Sequence, residues 1–296
     1  MTDEVVGNQL TVSPLAAIDE GSGQNGPIGQ RRLRAVVLDW AGTIQDCGSR
    51  APVAAFIELF GHFGIEITVA QARAPMGMFK KDHIRAIGSD ADVARSWQRH
   101  HLRPFTEDDV AEMYLALGAI QEDILPAYGE LIEGTLEAAE QIRARGYRVG
   151  STTGYPRSAG SIAAACAIRQ GFAADVMICA DEVPAGRPEP WMLLRAMEAL
   201  RVYPPSAVVK VGDTKVDIGE ALNAGAWAVG VSRTGNYVGL SEEEAAATPP
   251  AELEVAVAAA AETLRREGAH YVIESIADLP AVLDEIEVWL ANGDRP

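Results

Sequence analysis

The sequence predicts an α/β protein built on a doubly wound, parallel, Rossmann-like sheet, with an all-helical cap domain inserted after the first strand. Two observations carry this prediction. From Pro126 onward, short apolar runs alternate with helical patterns, which is typical of a parallel sheet with crossover helices. One similar apolar run, Ala35–Leu38, stands far ahead of them, and residues 48–125 between the two regions show only helical periodicity.

The first strand is the short apolar run Ala35–Leu38, which ends abruptly at Asp39. Such a run fits a strand buried on both faces, so Asp39 is expected at its carboxyl end, where open α/β sheets bind ligands. Gly42 and Thr43 follow, adding backbone freedom and a hydroxyl beside the carboxylate. An aspartate after a strand also often caps the next helix, so this stretch alone leaves both interpretations open.

The inserted stretch carries several helix signals in succession. Thr68 and Gln71 fit a capping box, and Thr106 with Asp109 marks the start of a later helix. A Pro-Met-Gly break separates the first of these from a helix that resumes over residues 79–87. We therefore expect a small helical cap that covers the strand ends.

The predicted domain boundaries follow from this order. Residues 33–47 and 126–296 form the α/β core, and residues 48–125 form the cap. Residues 1–32 are rich in glycine and polar residues without sustained periodicity, which indicates a disordered tail or an arm that docks on a partner subunit.

The remaining core elements are predicted from periodicity and turn residues. Strands are expected at 147–151, 176–180, 208–212 and 227–231. Helices are expected at 131–145, 158–170, 190–200, 218–224 and 241–267.

Composition narrows the possible functions. The 296 residues are 48% hydrophobic with a net charge of −17, which supports a packed core and argues against nucleic-acid and anionic-membrane partners. No apolar run is long enough to span a membrane. Cys47, Cys166 and Cys179 form no close pair, which predicts free thiols and a reducing, cytoplasmic location.

Three later segments favour a functional Asp39. A strand ends in Thr152, Thr153 and Gly154, Arg187 stands in a Pro-Ala-Gly-Arg-Pro segment, and V-V-K-V-G-D-T-K-V-D spans residues 208–217. The order D-x-x-G-T, Ser/Thr, Arg/Lys and G-D-x-x-x-D resembles the haloacid dehalogenase superfamily of phosphotransferases. The resemblance covers residues 33 to the C-terminus.

The chemistry of these residues fits phosphoryl transfer. Asp39 is the candidate nucleophile, and with Asp213 it supplies the hard oxygen ligands that Mg²⁺ prefers. The resemblance implies that the Ala41 carbonyl is a third ligand and that Thr153 and the Gly154 amide hold phosphoryl oxygens. It further implies that Arg187 pairs with the acyl phosphate. Asp217 is expected to orient this site rather than to bind the metal, with Thr43 in a supporting role.

Ala41 departs from the usual pattern of the superfamily. Phosphatases of this superfamily carry a second aspartate two positions after the nucleophile, which serves as general acid and base. Alanine cannot transfer protons, so either the protein is inactive or its leaving group needs no acid at this point. The second interpretation fits a carbon leaving group that is activated elsewhere.

A segment of the predicted cap offers the activator. In A-P-M-G-M-F-K-K-D-H, residues 74–83, Lys80 and His83 share a helix face with Ile84 and Ile87, which would bury the lysine stem. A lysine in an apolar pocket loses its proton more readily and can form a Schiff base with a carbonyl. On this segment alone, the pattern favours surface lysines and a helix histidine over a reactive lysine.

Five ordered segments together resemble the phosphonatase family, the phosphonoacetaldehyde hydrolases: D-W-A-G-T at 39–43, the cap segment at 74–83, G-S-T-T-G-Y at 150–155, V-P-A-G-R-P at 183–188 and V-G-D-T at 211–214. The resemblance implies that Lys80 forms an imine with phosphonoacetaldehyde, while Met76, Tyr155 and His83 line the pocket. It also implies that His83 assists proton transfer, that Mg²⁺ is the cofactor, and that the protein is a homodimer paired through cap helices. An ordinary Mg²⁺ phosphomonoester phosphatase and a non-catalytic metabolite-binding protein are the alternatives.

Overall fold

The computed structural model describes residues 32–296, in which a parallel sheet is layered between helices. The six strands are β1 (Ala35–Leu38), β2 (Arg148–Thr153), β3 (Val176–Cys179), β4 (Val208–Gly212), β5 (Trp227–Val231) and β6 (Tyr271–Ile273). Their order is β3-β2-β1-β4-β5-β6, and every neighbouring pair is parallel. The predicted α/β fold class is therefore confirmed.

The order of the strands in the sheet determines where a ligand site is expected. The chain runs outward from β1 to β3 on one side and from β4 to β6 on the other, so the order changes direction between β1 and β4. Leu38 of β1 is in register with Ser151 of β2 and Val211 of β4. The residues that follow these strands therefore meet at one carboxyl edge, at the switch point where open α/β sheets bind ligands.

Five helices form the cap that follows β1: α1 (Arg50–His62), α2 (Val69–Arg73), α3 (Lys80–Gly88), α4 (Ala91–His101) and α5 (Glu107–Ile124). Their apolar faces make a core of their own that includes Phe56, Phe60, Ile84 and Trp97, all buried. The predicted capping box at Thr68 is present, and the helix predicted from Thr106 begins there, with the Thr106 N–H donating to the Asp109 carboxylate at 2.8 Å.

Seven further helices follow the cap along the chain: α6 (Thr135–Ala144), α7 (Arg157–Arg169), α8 (Trp191–Leu200), α9 (Lys215–Ala224), α10 (Glu242–Ala247), α11 (Pro250–Arg266) and α12 (Leu279–Asn292). The strands β1, β4 and β5 are buried along their whole length, as expected where helices cover both faces of a parallel sheet, whereas α10 has no buried residue. Within residues 32–296, no helix is long and apolar enough to cross a bilayer.

The structure corrects several element predictions. The helix predicted at 241–267 is two helices, because Pro249 cannot continue the first one and α11 begins anew at Pro250. The helix predicted from residue 131 begins only at Thr135, after Gly134 with φ +84°. The elements α4, β6 and α12 were not predicted.

The domain boundaries remain a prediction. Residues 32–296 group into a single contact unit, so the division into core and cap at 47/48 and 125/126 is not tested by this grouping. The predicted tail lies outside the described residues except for Arg32, whose backbone N–H donates to the Glu287 carboxylate at 2.9 Å.

Candidate active site

A small cleft opens between the carboxyl edge of the sheet and the cap. The lining residues are Asp39, Ala41, Ser49, Pro52, Met76, Gly77, Lys80, Thr153, Gly154, Tyr155, Arg187, Asp213 and Thr214. Nine of the twelve residues singled out from the sequence therefore meet at one place. Thr43, His83 and Asp217 are buried behind it.

Three buried carboxylates lie together here, two of them lining the cleft and the third, Asp217, behind it. Asp39 follows β1, Asp213 follows β4, and Asp217 lies in the first turn of α9, with ligand oxygens within 4.8 Å of one another. Burial raises the pKa of Asp39 and raises that of Asp213 well above its usual value, and repulsion from the neighbouring carboxylates adds to both shifts.

Arg187 and Lys210 partly neutralise these carboxylates. Arg187 Nη2 lies 2.7 Å from Asp39 Oδ1, and its Nη1 lies 2.8 Å from Asp217 Oδ1. Lys210 Nζ lies 2.9 Å from the same Asp217 oxygen, and Glu220 Oε2 lies 3.1 Å from Arg187 Nε. The two cations outweigh desolvation at Asp217 and lower its pKa. Asp217 therefore pairs with two cations of the protein, and its supporting role stays a prediction.

The balance of charge leaves room for a divalent cation. Four carboxylates (Asp39, Asp213, Asp217 and Glu220) face Arg187 and Lys210, so two negative charges remain when all are ionised, or one when Lys80 is protonated as well. Hard oxygen donors with excess negative charge suit Mg²⁺ or a similar ion. Asp39 and Asp213, which line the cleft, fit such an ion.

Lys80 approaches the carboxylates from the cap. It is the first residue of α3, and its side chain is 4% exposed. Its Nζ lies 5.5 Å from the centre of the Phe56 ring and 5.2 Å from that of Tyr155. Burial lowers its pKa from 10.5 to about 8; attraction from Asp39 opposes this shift, and repulsion from Arg187 adds to it. Lys81, the next residue, is exposed and lies over Tyr114.

His83 is placed differently from the sequence prediction, because it is not among the residues that line the cleft. Its ring stacks on Phe56 at a centroid distance of 3.8 Å, and its Nε2 lies 2.8 Å from the Ala72 carbonyl. Burial and the nearby Lys80 lower its pKa to about 3. A neutral ring that donates Nε2–H to a carbonyl fixes Phe56 and α2 behind Lys80.

Thr153, Gly154 and Tyr155 supply the wall beside Asp39. Thr153 Oγ1 accepts a hydrogen bond from the Tyr155 backbone N–H at 3.2 Å, which fixes the turn at the end of β2. The Tyr155 hydroxyl is buried and has no hydrogen-bond partner among residues 32–296. The buried hydroxyl of Thr43 also lacks a partner within that range.

Comparison with known proteins agrees with this geometry. The model of haloacid dehalogenase-like hydrolases matches residues 33–225. A phosphonoacetaldehyde hydrolase from Nitratidesulfovibrio vulgaris is 44% identical over 89% of this chain and 94% of its own length. A phosphonoacetaldehyde hydrolase from Bacillus cereus is 41% identical over 86% of this chain and 97% of its own.

The chain belongs to the phosphonoacetaldehyde hydrolase family of haloacid dehalogenase-like hydrolases. A crystal structure of a phosphonoacetaldehyde hydrolase-like protein from Oleispira antarctica has a TM-score of 0.88 and 39% identity, covering 90% of this chain and 96% of that one. A β-phosphoglucomutase from Clostridium difficile, at 16% identity and a TM-score of 0.60, shares the fold. As a member of this family, the chain is an enzyme, a hydrolase.

Three residues of the site were missed in the sequence. Lys210 is a charged residue in the otherwise apolar strand β4, and a buried charge requires a partner, so its position was a usable signal. Glu220 lies three residues after Asp217 and therefore on the same face of α9. Arg73 of α2 gave no signal, because its partners are backbone carbonyls distant in sequence.

Proposed function

We propose that the protein hydrolyses the carbon–phosphorus bond of phosphonoacetaldehyde to acetaldehyde and phosphate, with Lys80 as the imine-forming amine and Asp39 as the nucleophile. The observation that supports this most is the pair of groups facing one cleft: a buried amine on the cap and a carboxylate on the core. Ala41 leaves no proton donor where phosphatases have one.

The lowered pKa makes Lys80 a competent amine near neutral pH. At pH 7 a pKa of about 8 leaves roughly a tenth of the amine neutral, against about 0.03% for an ordinary lysine. The neutral amine adds to the aldehyde carbon and expels water, giving a protonated imine. The positive nitrogen is then an electron sink beta to phosphorus.

The bond cleavage follows from that sink. An Asp39 oxygen attacks phosphorus, the P–C bond breaks, and its electron pair moves toward the imine nitrogen, leaving a neutral enamine. No acid at residue 41 is needed because the leaving carbon carries no charge. Water then hydrolyses the aspartyl phosphate to phosphate, while the enamine takes up a proton on carbon and is hydrolysed to acetaldehyde and free Lys80.

The surrounding residues orient the two reacting groups. Arg187 donates to Asp39 Oδ1, which leaves the other carboxylate oxygen as the proposed nucleophile, and the same guanidinium is proposed to pair with the acyl phosphate. Thr153 and the Gly154 amide are proposed to bind phosphoryl oxygens. His83, with its pKa of about 3, supports the packing around Lys80 rather than moving protons.

The proposed cofactor is Mg²⁺, held by Asp39, Asp213 and the Ala41 carbonyl. When bound, the ion neutralises the repulsion between an anionic nucleophile and an anionic phosphonate. Cytoplasmic location, phosphonate catabolism as the pathway and pairing through the cap into a homodimer belong to the same proposal.

Release of phosphate and acetaldehyde from phosphonoacetaldehyde tests the function, with simple phosphate esters as the comparison substrates. We expect both products in equal amounts, only with Mg²⁺ present. Turnover of esters without turnover of phosphonoacetaldehyde would identify a phosphomonoesterase instead. Binding without any product would identify a metabolite-binding protein.

A further inference from the structure

The guanidinium of Arg73 connects the cap to two segments of the core edge. Arg73 is the last residue of α2, and it leads directly into residues 74–80, which carry Met76 and Lys80 to the cleft. Its Nη1 donates to the Gly48 carbonyl at 2.7 Å and to Asn236 Oδ1 at 3.1 Å. Its Nη2 donates to the Gly239 carbonyl at 2.9 Å.

The partners of Arg73 are unusual for a half-buried cation. They are carbonyl and amide oxygens rather than a carboxylate. The contact therefore depends on several N–H groups of one rigid guanidinium donating at the same time. Gly239 is fitted closely to the guanidinium, since a Cβ at this residue would lie 2.7 Å from Arg73 Cζ.

The core side of this contact leads to the carboxylates of the site. Asn236, whose side chain and carbonyl both accept from Arg73, donates its own backbone N–H to Asp213 Oδ2 at 2.8 Å. Gly48 belongs to the segment between β1 and α1, and its N–H donates to the Thr234 carbonyl at 2.7 Å. One guanidinium thus bridges the segment that carries Lys80 and the loop that holds Asp213.

The loop after Arg73 also packs tightly on the core. A Cβ at Gly77 would lie 2.5 Å from Thr214 Oγ1 and 2.4 Å from Val216 Cγ2. The Lys80 segment therefore packs closely against the start of α9, and Arg73 adds polar contacts between the same segment and the core.

We propose that Arg73 is a positioning residue that holds the Lys80 segment of the cap over the Asp39–Asp213 edge of the core. The inference rests on the proposed function, in which an amine from the cap and a carboxylate from the core act on one small molecule. Without Arg73, the Lys80 amine and the Asp39 carboxylate should lie in reacting positions less of the time in the substrate-free protein, until a bound substrate brings them together. The loss of Arg73 should therefore raise KM more than it lowers kcat.

The test compares Arg73→Met with Arg85→Met, a matched control whose arginine pairs with Glu107 on the cap surface. We expect Arg73→Met to raise KM by at least about tenfold, as the loss of charge-assisted hydrogen bonds implies, with kcat changed by less than about threefold. Arg85→Met should leave both unchanged. Should the Met variant fail to fold, Arg73→Lys keeps the charge with a single donor head and should raise KM by a smaller factor.

A second readout does not depend on activity. Amide hydrogen exchange in the substrate-free protein should become faster at residues 74–80 and at 233–240 in Arg73→Met, while α4 stays unchanged. Gly239→Ala, which displaces the guanidinium, should raise KM in the wild type but add little to Arg73→Met. Unchanged exchange at both segments, or a fall in kcat with KM unchanged, overturns the inference. If the wild type releases no phosphate, the proposed function fails, and the exchange result alone decides the role of Arg73.

Discussion

Lys80→Met should make the protein more stable while abolishing carbon–phosphorus cleavage. The ammonium is buried in the folded protein, and burial lowers its pKa from 10.5 to about 8. Each unit of pKa difference between folded and unfolded states corresponds to about 1.4 kcal/mol, so the buried amine costs about 3 kcal/mol of unfolding free energy at pH 7. Methionine has a similar shape and no charge, so it removes this cost.

The effect depends on pH with a definite sign. The unfolded chain binds the Lys80 proton up to about pH 10.5, whereas the folded protein releases it near pH 8. Because the unfolded state binds more protons between these values, wild-type stability should rise with pH across this window. The advantage of Lys80→Met is therefore complete below pH 8 and falls to about 1 kcal/mol or less at pH 10.

Urea unfolding at pH 7 and pH 10 measures both quantities, with Lys81→Met as the matched control. Lys81 is exposed beside Tyr114, so its replacement should change stability by less than about 0.5 kcal/mol at either pH. A Lys80→Met variant that is no more stable than the wild type at pH 7 would refute the claim that a buried, desolvated amine faces the cleft.

Three other outcomes are expected. Asp39→Asn should abolish turnover and keep the fold, because the charge and nucleophilicity go while the size remains; activity within about tenfold of wild type would remove Asp39 from its role. Ala41→Asp should lower cleavage, since the added carboxylate repels the phosphonate and competes for the metal; a faster rate would mean that a missing acid was limiting. Chelation of Mg²⁺ should stop turnover and re-addition should restore it, whereas full activity in chelator would contradict a metal held by Asp39 and Asp213.

The sequence was informative where one local pattern carries the structure. The strand β1 ends where its apolar run ends, and helices begin at the Thr68 capping box and after Thr106 as predicted. The carboxyl ends of parallel strands lie at the same edge of a sheet, so the sequence alone predicts that Asp39, Thr153 and Asp213 lie close together, and all three line the cleft.

The sequence was less informative where distant packing decides. His83 shares a helix face with Lys80, but its ring packs in the core of the cap, stacked on Phe56. Helical periodicity does not predict which of the two side chains reaches the cleft. The carbonyl partners of Arg73 come from segments far apart in sequence, so no spacing reveals them. The alanine-rich sequence favours a helix across both α10 and α11, so its composition predicts one helix. The break between them comes from Pro249, which ends the first helix.

Borohydride trapping tests the central claim most directly. Borohydride added with phosphonoacetaldehyde or acetaldehyde should inactivate the protein irreversibly by reducing the imine, and peptide mapping should place the label on Lys80. Lys80→Arg keeps the positive charge but is too poor a nucleophile to form an imine, so it should take up no label and release no phosphate. Label on Lys81, or near wild-type phosphate release by Lys80→Arg, would contradict the imine mechanism for this protein.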